Sequence, residues 1–155
     1  MLAKAHSAQV SGLRADFVVV EADISKGLHS FAIVGLGDKA VTEARDRISA
    51  AIKNSGFRSP QKGNKKVIIS LAPANLKKEG TVFDLPMALA YLLAADEVTF
   101  DPKGVACMGE LGLDGTLRPI KGALAADIHC ERKKLKTLIV PKENAAEAAL
   151  VGDVD

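Results

Sequence analysis

Tryptophan is absent from this 155-residue chain, and one tyrosine with five phenylalanines brings its aromatic content to only 4%. A platform of rings for stacking bases cannot be assembled from so few, so any nucleic-acid contact would go to backbone phosphates. Cysteine is scarce as well. Cys107 and Cys130 fit no C-x-x-C spacing and read as reduced, small buried hydrophobes rather than as a disulfide or ligand framework. A chain of this length buries about two thirds of its unfolded surface and needs no such staple. Long hydrophobic runs are missing too: the longest, residues 87–95, is about half a membrane span, and the first residues hold no signal-peptide core. No contact with a membrane is predicted, and the reduced cysteines point to a cytoplasmic address. Neither sign of charge dominates, with 21 Lys+Arg against 19 Asp+Glu, so no global field calls for an acidic partner. What is present, 48% hydrophobic and 26% charged residues, is the composition of an ordinary globular chain and predicts a single domain over residues 1–155.

Extended, β-branched segments are predicted at residues 16–22 and 30–34, forming an antiparallel opening across the turn between them. From residue 38 to 55, Val41, Ala44, Ile48, Ala51 and Ile52 recur at three and four, which predicts an amphipathic helix with Asp38 as its N-cap and Gly56 as its left-handed stop. A short strand follows at 67–71, then a loop, then an apolar helix capped by Asp84 with Pro86 in its first turn. Residues 105–113 and 116–120 flank Asp114-Gly115, a pair that tolerates positive φ at both positions of a two-residue turn and predicts a hairpin. A helix at 123–135, a strand at 137–140 and a last helix at 143–150 complete the chain. That last helix runs toward the end without a stop signal, as in one domain of a longer protein. Strands alternating with helices after residue 30 imply βαβ crossovers and an α/β or α+β sandwich.

The motifs that would carry chemistry are mostly incomplete. Gly35-Leu36-Gly37-Asp38-Lys39-Ala40 has the spacing of a dinucleotide-binding turn, but no acid occurs between Asp46 and Glu79 to hold ribose hydroxyls. The glycines are expected only to turn the chain. No G-x-x-x-x-G-K-[ST] is present, so no cofactor, ATP included, is predicted for this chain. His6, His29 and His129 are scattered, and no metal site is predicted from them. The loop Lys77-Lys78-Glu79-Gly80 offers a base but no nucleophile beyond Thr81. One signal remains: from Arg47 to Lys78 the chain carries Arg47, Lys53, Arg58, Lys62, Lys65, Lys66, Lys77 and Lys78 with no acid, a local charge of +8. Such a run is either a solvated surface or one that neutralises phosphates.

The segments Phe31-Ala32-Ile33-Val34-Gly35-Leu36, Leu71-Ala72-Pro73-Ala74-Asn75-Leu76-Lys77-Lys78-Glu79-Gly80, Phe83-Asp84-Leu85-Pro86 and Leu117-Arg118-Pro119-Ile120-Lys121-Gly122, in this order, resemble the N-terminal domain of the ComM (YifB) family of magnesium-chelatase-like AAA+ proteins. Gly37 and Asn75 depart from that pattern, which usually has Pro and Asp. The resemblance implies a Lon-protease-domain-like fold with a mixed sheet. It implies an AAA+ module downstream, absent here, that would bind ATP and Mg, a ring-shaped homo-oligomer, and a part in DNA branch migration during natural transformation. Lon-like proteases cut with a Ser-Lys dyad. Matching their serine loop to Lys78-Glu79-Gly80 places the nucleophile position at Val82, and matching their Pro-Ile to Pro119-Ile120 places the lysine position at Leu124. Neither side chain can react. The resemblance therefore implies a non-catalytic domain serving assembly and DNA contact through Lys62, Lys65, Lys66, Lys77 and Lys78. The alternatives are a hydrolase with a displaced nucleophile such as Thr81 or Ser70, or a purely oligomerising module.

Overall fold

The computed structural model of the chain describes residues 1–150. Strands β1 (Leu2–Ser11) and β2 (Arg14–Lys26) form a long antiparallel hairpin, in which Ala5 faces Val20 and Ser7 faces Val18. The strand predicted at residues 16–22 is thus the middle of a longer one, and its antiparallel partner is β1. β3 (Ser30–Val34) pairs instead with β4 (Lys65–Ala72), and in parallel, which overturns the antiparallel pairing expected between residues 16–22 and 30–34. β4 also lies antiparallel to β2, so the mixed sheet has the order β1-β2-β4-β3. The connection from β3 to β4 runs through α1 (Asp38–Asn54), the first of two βαβ crossovers.

One face of this sheet is the core. Val18, Val20 and Ala22 of β2, Phe31 and Ile33 of β3, and Val67, Ile69 and Leu71 of β4 are buried there beneath α1 and α2 (Asp84–Ala94). Alternation along the strands puts Lys4, Glu21, Asp23, Ile68, Ser70, Ala32 and Val34 on the other face. Helix α3 (Ala123–Arg132) covers only the hairpin end of that face, where Phe17 stacks between His6 and His129 at 5.3 and 6.2 Å.

The second crossover joins β5 (Val105–Cys107) to β8 (Thr137–Ile139), a parallel pair, through a small hairpin and α3. That hairpin, β6 (Glu110–Leu111) and β7 (Leu117–Arg118), is shorter than predicted because residues 105–107 leave it to pair with β8. Its turn is also different. Gly115 alone has positive φ (89°), and its N–H donates to Gly112 O at 3.0 Å, so the loop has three residues rather than two. The last helix is shortened to a 3-10 turn, Lys142–Asn144, and α4 (Ala145–Ala148). Asn144 ties this end to the entrance of α3, accepting from Ile120 N at 2.9 Å and donating to Ile120 O at 2.8 Å. A second apolar cluster, with Ala106, Met108, Ala123, Ala126, Cys130 and Leu138 at its centre, fills the space between these elements. The architecture is a mixed α/β, α+β arrangement, as the order of elements implied. The reading of the chain's final residues lies partly outside the described residues.

Candidate nucleic-acid interface

The basic run follows the path α1, loop, β4, loop, and the strand in its middle splits it. β4 spans eight residues, so its two ends lie about 23 Å apart at the rise of an extended chain. Lys53, Arg58, Lys62, Lys65 and Lys66 collect at one end, and Lys77 and Lys78 belong to the other.

At the first end, Lys53, Arg58, Lys62 and Lys65 line a cleft of about 470 Å³ together with Phe57, Ser59 and Gly63, and no acid lines it. Its shape is set by the way α1 stops. Gly56 takes the predicted positive φ (89°), and the N–H groups of Gly56 and Phe57 close onto Lys53 O and Ile52 O. The chain then turns through Ser59 and Pro60, both buried, with Gln61 N donating to Ser59 Oγ at 3.2 Å. Tyr91 of α2, fully buried, donates its hydroxyl to Arg58 O at 3.2 Å. Lys65 donates to that same hydroxyl at 2.5 Å and lies 5.1 Å from the ring centre. None of these four cations, nor Lys66 beside them on the open sheet face, forms an ion pair with another described residue.

The second end is different. Lys78 is 4% exposed, and its ammonium donates to Pro73 O and, at 2.6 Å, to Leu76 O. Burial pushes its pKa down from the usual lysine value. The expectation that Lys78 contacts DNA is corrected: its donors are used in closing the loop after β4. Lys77 is exposed but sits 3.7 Å from Glu79, which neutralises part of its charge. Gly35 fits under this loop. A Cβ at Gly35 would lie 2.7 Å from Leu71 O and 3.3 Å from Lys78 Cε, and its φ is +107°. The first glycine of the Gly35-to-Ala40 motif thus serves the turn expected of it, at a positive φ, and also a close packing against β4 that the sequence reading did not include.

The positions matched to a Ser-Lys dyad are both half-buried and aliphatic. Val82 packs against both apolar clusters, the second of which contains Ala123, the neighbour of Leu124. Lys78, the lysine nearest Thr81 and Val82 in sequence, directs its amine at the carbonyls of Pro73 and Leu76. Ser70 stands in mid-strand, opposite Glu21 and Val34. Both thiols are buried and unpaired, and desolvation raises Cys107 to about 12 and Cys130 to about 11. No described helix is long and apolar enough to cross a membrane.

Two aspartates, Asp84 and Asp127, are buried in roles that the sequence reading did not give them. Asp38 and Asp84 were expected as N-caps, but both are first residues of their helices, behind Gly37 and Phe83, and neither makes a side-chain cap. Asp38 sits where a negative charge favours the helix dipole. Asp84 is 1% exposed and takes a fork of two hydrogen bonds from Arg47, Nε to Oδ2 at 2.7 Å and Nη2 to Oδ1 at 3.0 Å, plus one from Leu111 N at 3.2 Å. Burial pushes the Asp84 carboxyl up while Arg47 pulls it down, and the same bonds hold Arg47 above its usual value. This cross-link joins α1, α2 and β6. Asp127 of α3 is 2% exposed, its Oδ2 has no partner, and burial raises its pKa.

A profile of the family described as ChlI, subunit ChlI of Mg-chelatase, matches residues 20–144. The competence protein ComM of Haemophilus influenzae is 39% identical over 98% of the chain, which covers 29% of that relative. The uncharacterized protein YifB of Escherichia coli is 41% identical over 94% of the chain and 28% of its own length. An uncharacterized protein of Mycobacterium tuberculosis is 38% identical over 99% of the chain and 30% of its own length. The chain therefore spans about 30% of the length of the curated relatives it matches. With four fifths of its residues inside the matched region, the chain belongs to the magnesium-chelatase-like family that includes the ComM and YifB proteins.

Proposed function

We propose that this chain is the non-catalytic N-terminal domain of a ComM-like AAA+ ATPase that remodels DNA in the cytoplasm, and that it contacts nucleic-acid backbone through the basic end of β4. The observation that carries this reading is the convergence of Lys53, Arg58, Lys62 and Lys65 on one cleft with no acid in its lining. Phosphates are the counter-charge such a surface suits, and contacts of this kind are independent of base sequence. One relative is a competence protein, ComM, which is in keeping with a role in natural transformation; DNA branch migration is the step proposed for it here. ATP and Mg would be bound by a downstream AAA+ module in cis, and the whole would work as a homo-oligomeric ring. The aliphatic Val82 and Leu124 and the carbonyl-bound Lys78 favour this reading over a hydrolase.

Fluorescence anisotropy with a labelled single strand or branched duplex tests it. With three phosphate contacts on a single strand, affinity should fall about twentyfold over a roughly fourfold rise in salt. Replacing the cleft lysines Lys53, Lys62 and Lys65 together by alanine should weaken binding and flatten that dependence. A response flat to both changes would leave the domain as an assembly element.

A further inference from the structure

We infer that the cleft beside β4 is a discrete pocket for one phosphate group, gripped chiefly by Lys53 and Arg58, rather than one part of a diffuse basic surface. The inference takes its source of phosphate, a nucleic-acid backbone, from the proposed function, but its chemistry stands without it. Some cations of this chain are paired with an acid and others are not. Arg14, Arg47, Lys77 and Arg118 each lie within 4.0 Å of a carboxylate. Lys53, Arg58, Lys62 and Lys65 face one another across a concave space with no such partner among the described residues. Like charges held together repel, and an anion between them relieves that repulsion.

The pocket is formed before any ligand arrives. Arg58 is held by its carbonyl to the Tyr91 hydroxyl at 3.2 Å, and Lys65 is parked on the same hydroxyl at 2.5 Å. Buried Ser59 and Pro60 lie between Arg58 and Lys62 and pin the loop that carries both. Ser59 Oγ accepts from Gln61 N, which leaves its O–H to donate to a phosphate oxygen. Half-buried Phe57 supplies an apolar wall suited to the sugar that follows the phosphate. The guanidinium of Arg58 matches two phosphate oxygens at once, and Lys53 and Lys62 act as point charges. One feature opposes an anion here, the negative end of α1. Its terminal carbonyls, Ala51 O, Ile52 O and Lys53 O, are already taken by the N–H groups of Ser55, Phe57 and Gly56, which offsets part of that negative end. Lys66 and Lys77 lie outside the cleft, on the open sheet face and beyond the far end of β4.

Isothermal titration calorimetry of the 155-residue chain with two probes, inorganic pyrophosphate and single-stranded oligodeoxythymidylate, separates the sources. The Lys53→Ala/Arg58→Ala variant alters two exposed side chains, so an unchanged thermal midpoint is its folding control. It should weaken both probes by about tenfold or more, while Lys66→Ala/Lys77→Ala should change either by less than about twofold. Loss of oligonucleotide binding in the Lys66/Lys77 variant, with none in the Lys53/Arg58 variant, overturns the pocket and leaves the DNA reading intact. Pyrophosphate binding that depends on Lys53 and Arg58, without oligonucleotide binding, upholds the pocket and overturns the DNA reading. Failure of the parent chain to bind either probe overturns both.

Discussion

Taking a carboxylate out of water costs several kcal/mol unless charges and donors replace the solvent, and the two buried aspartates of this chain meet that demand differently. Asp84 has Arg47 and Leu111 N as donors. Asp127 leaves Oδ2 without one. Because burial raises the Asp127 pKa above 3.8 in the folded chain, the unfolded chain gives up that proton first. Folding therefore loses stability as pH rises from the ordinary carboxylate range through the raised value. Asp127→Asn removes the penalty. The variant should unfold at higher urea than the parent at pH 7, the gap closing below about pH 4, with midpoints measured across that range. Neither role was legible in the sequence. Asp84 stands before an apolar helix, where local rules read a cap, and its partner is 37 residues away. Asp127 sits in a helix whose apolar face is made of alanines, a pattern too weak to mark it as interior.

Among the elements, α1 was legible from periodicity alone, since Ala44, Ile48, Ala51 and Ile52 are its buried face. β1 was not. LAKAHSAQVS holds a single β-branched residue, and it is a strand because β2 pairs with it along its whole length rather than through propensity. β3 was found but given the wrong neighbour, because adjacency in sequence stood in for adjacency in the sheet. The basic run suffered similarly: consecutive charges look continuous until a strand carries them apart. The β6–β7 hairpin was read from Asp114-Gly115, and the structure adds why the glycine is needed. A Cβ there would meet Ser55 Oγ at 2.3 Å, because the hairpin tip docks on the end of α1, where Asn54 also donates to Leu113 O at 2.8 Å. Gly115→Ala should destabilise the chain by about 1–3 kcal/mol in urea titration. Adding Ser55→Ala should recover part of this, the clash, and leave the strain of the positive φ.

At the scale of the molecule, the described residues form two apolar clusters of unequal size joined at Val82, a side chain that packs against both. The smaller one, under β5, β8, α3 and α4, has little reserve of its own. Val82→Ala should cost about 1–2 kcal/mol, and hydrogen exchange should show protection falling further in β5 and β8 than in β2 and β4. The order of family segments made this overall plan legible beforehand. What it could not supply was which cations share a cleft, since that depends on where α1 stops and how the loop behind it is pinned. The pin has one more property. Tyr91 is the chain's single tyrosine, and there is no tryptophan. Its hydroxyl meets both Lys65 and the Arg58 carbonyl, so ultraviolet emission excited beyond the phenylalanine absorption band originates behind the cleft wall, an unlabelled optical gauge of whether an anion has settled there.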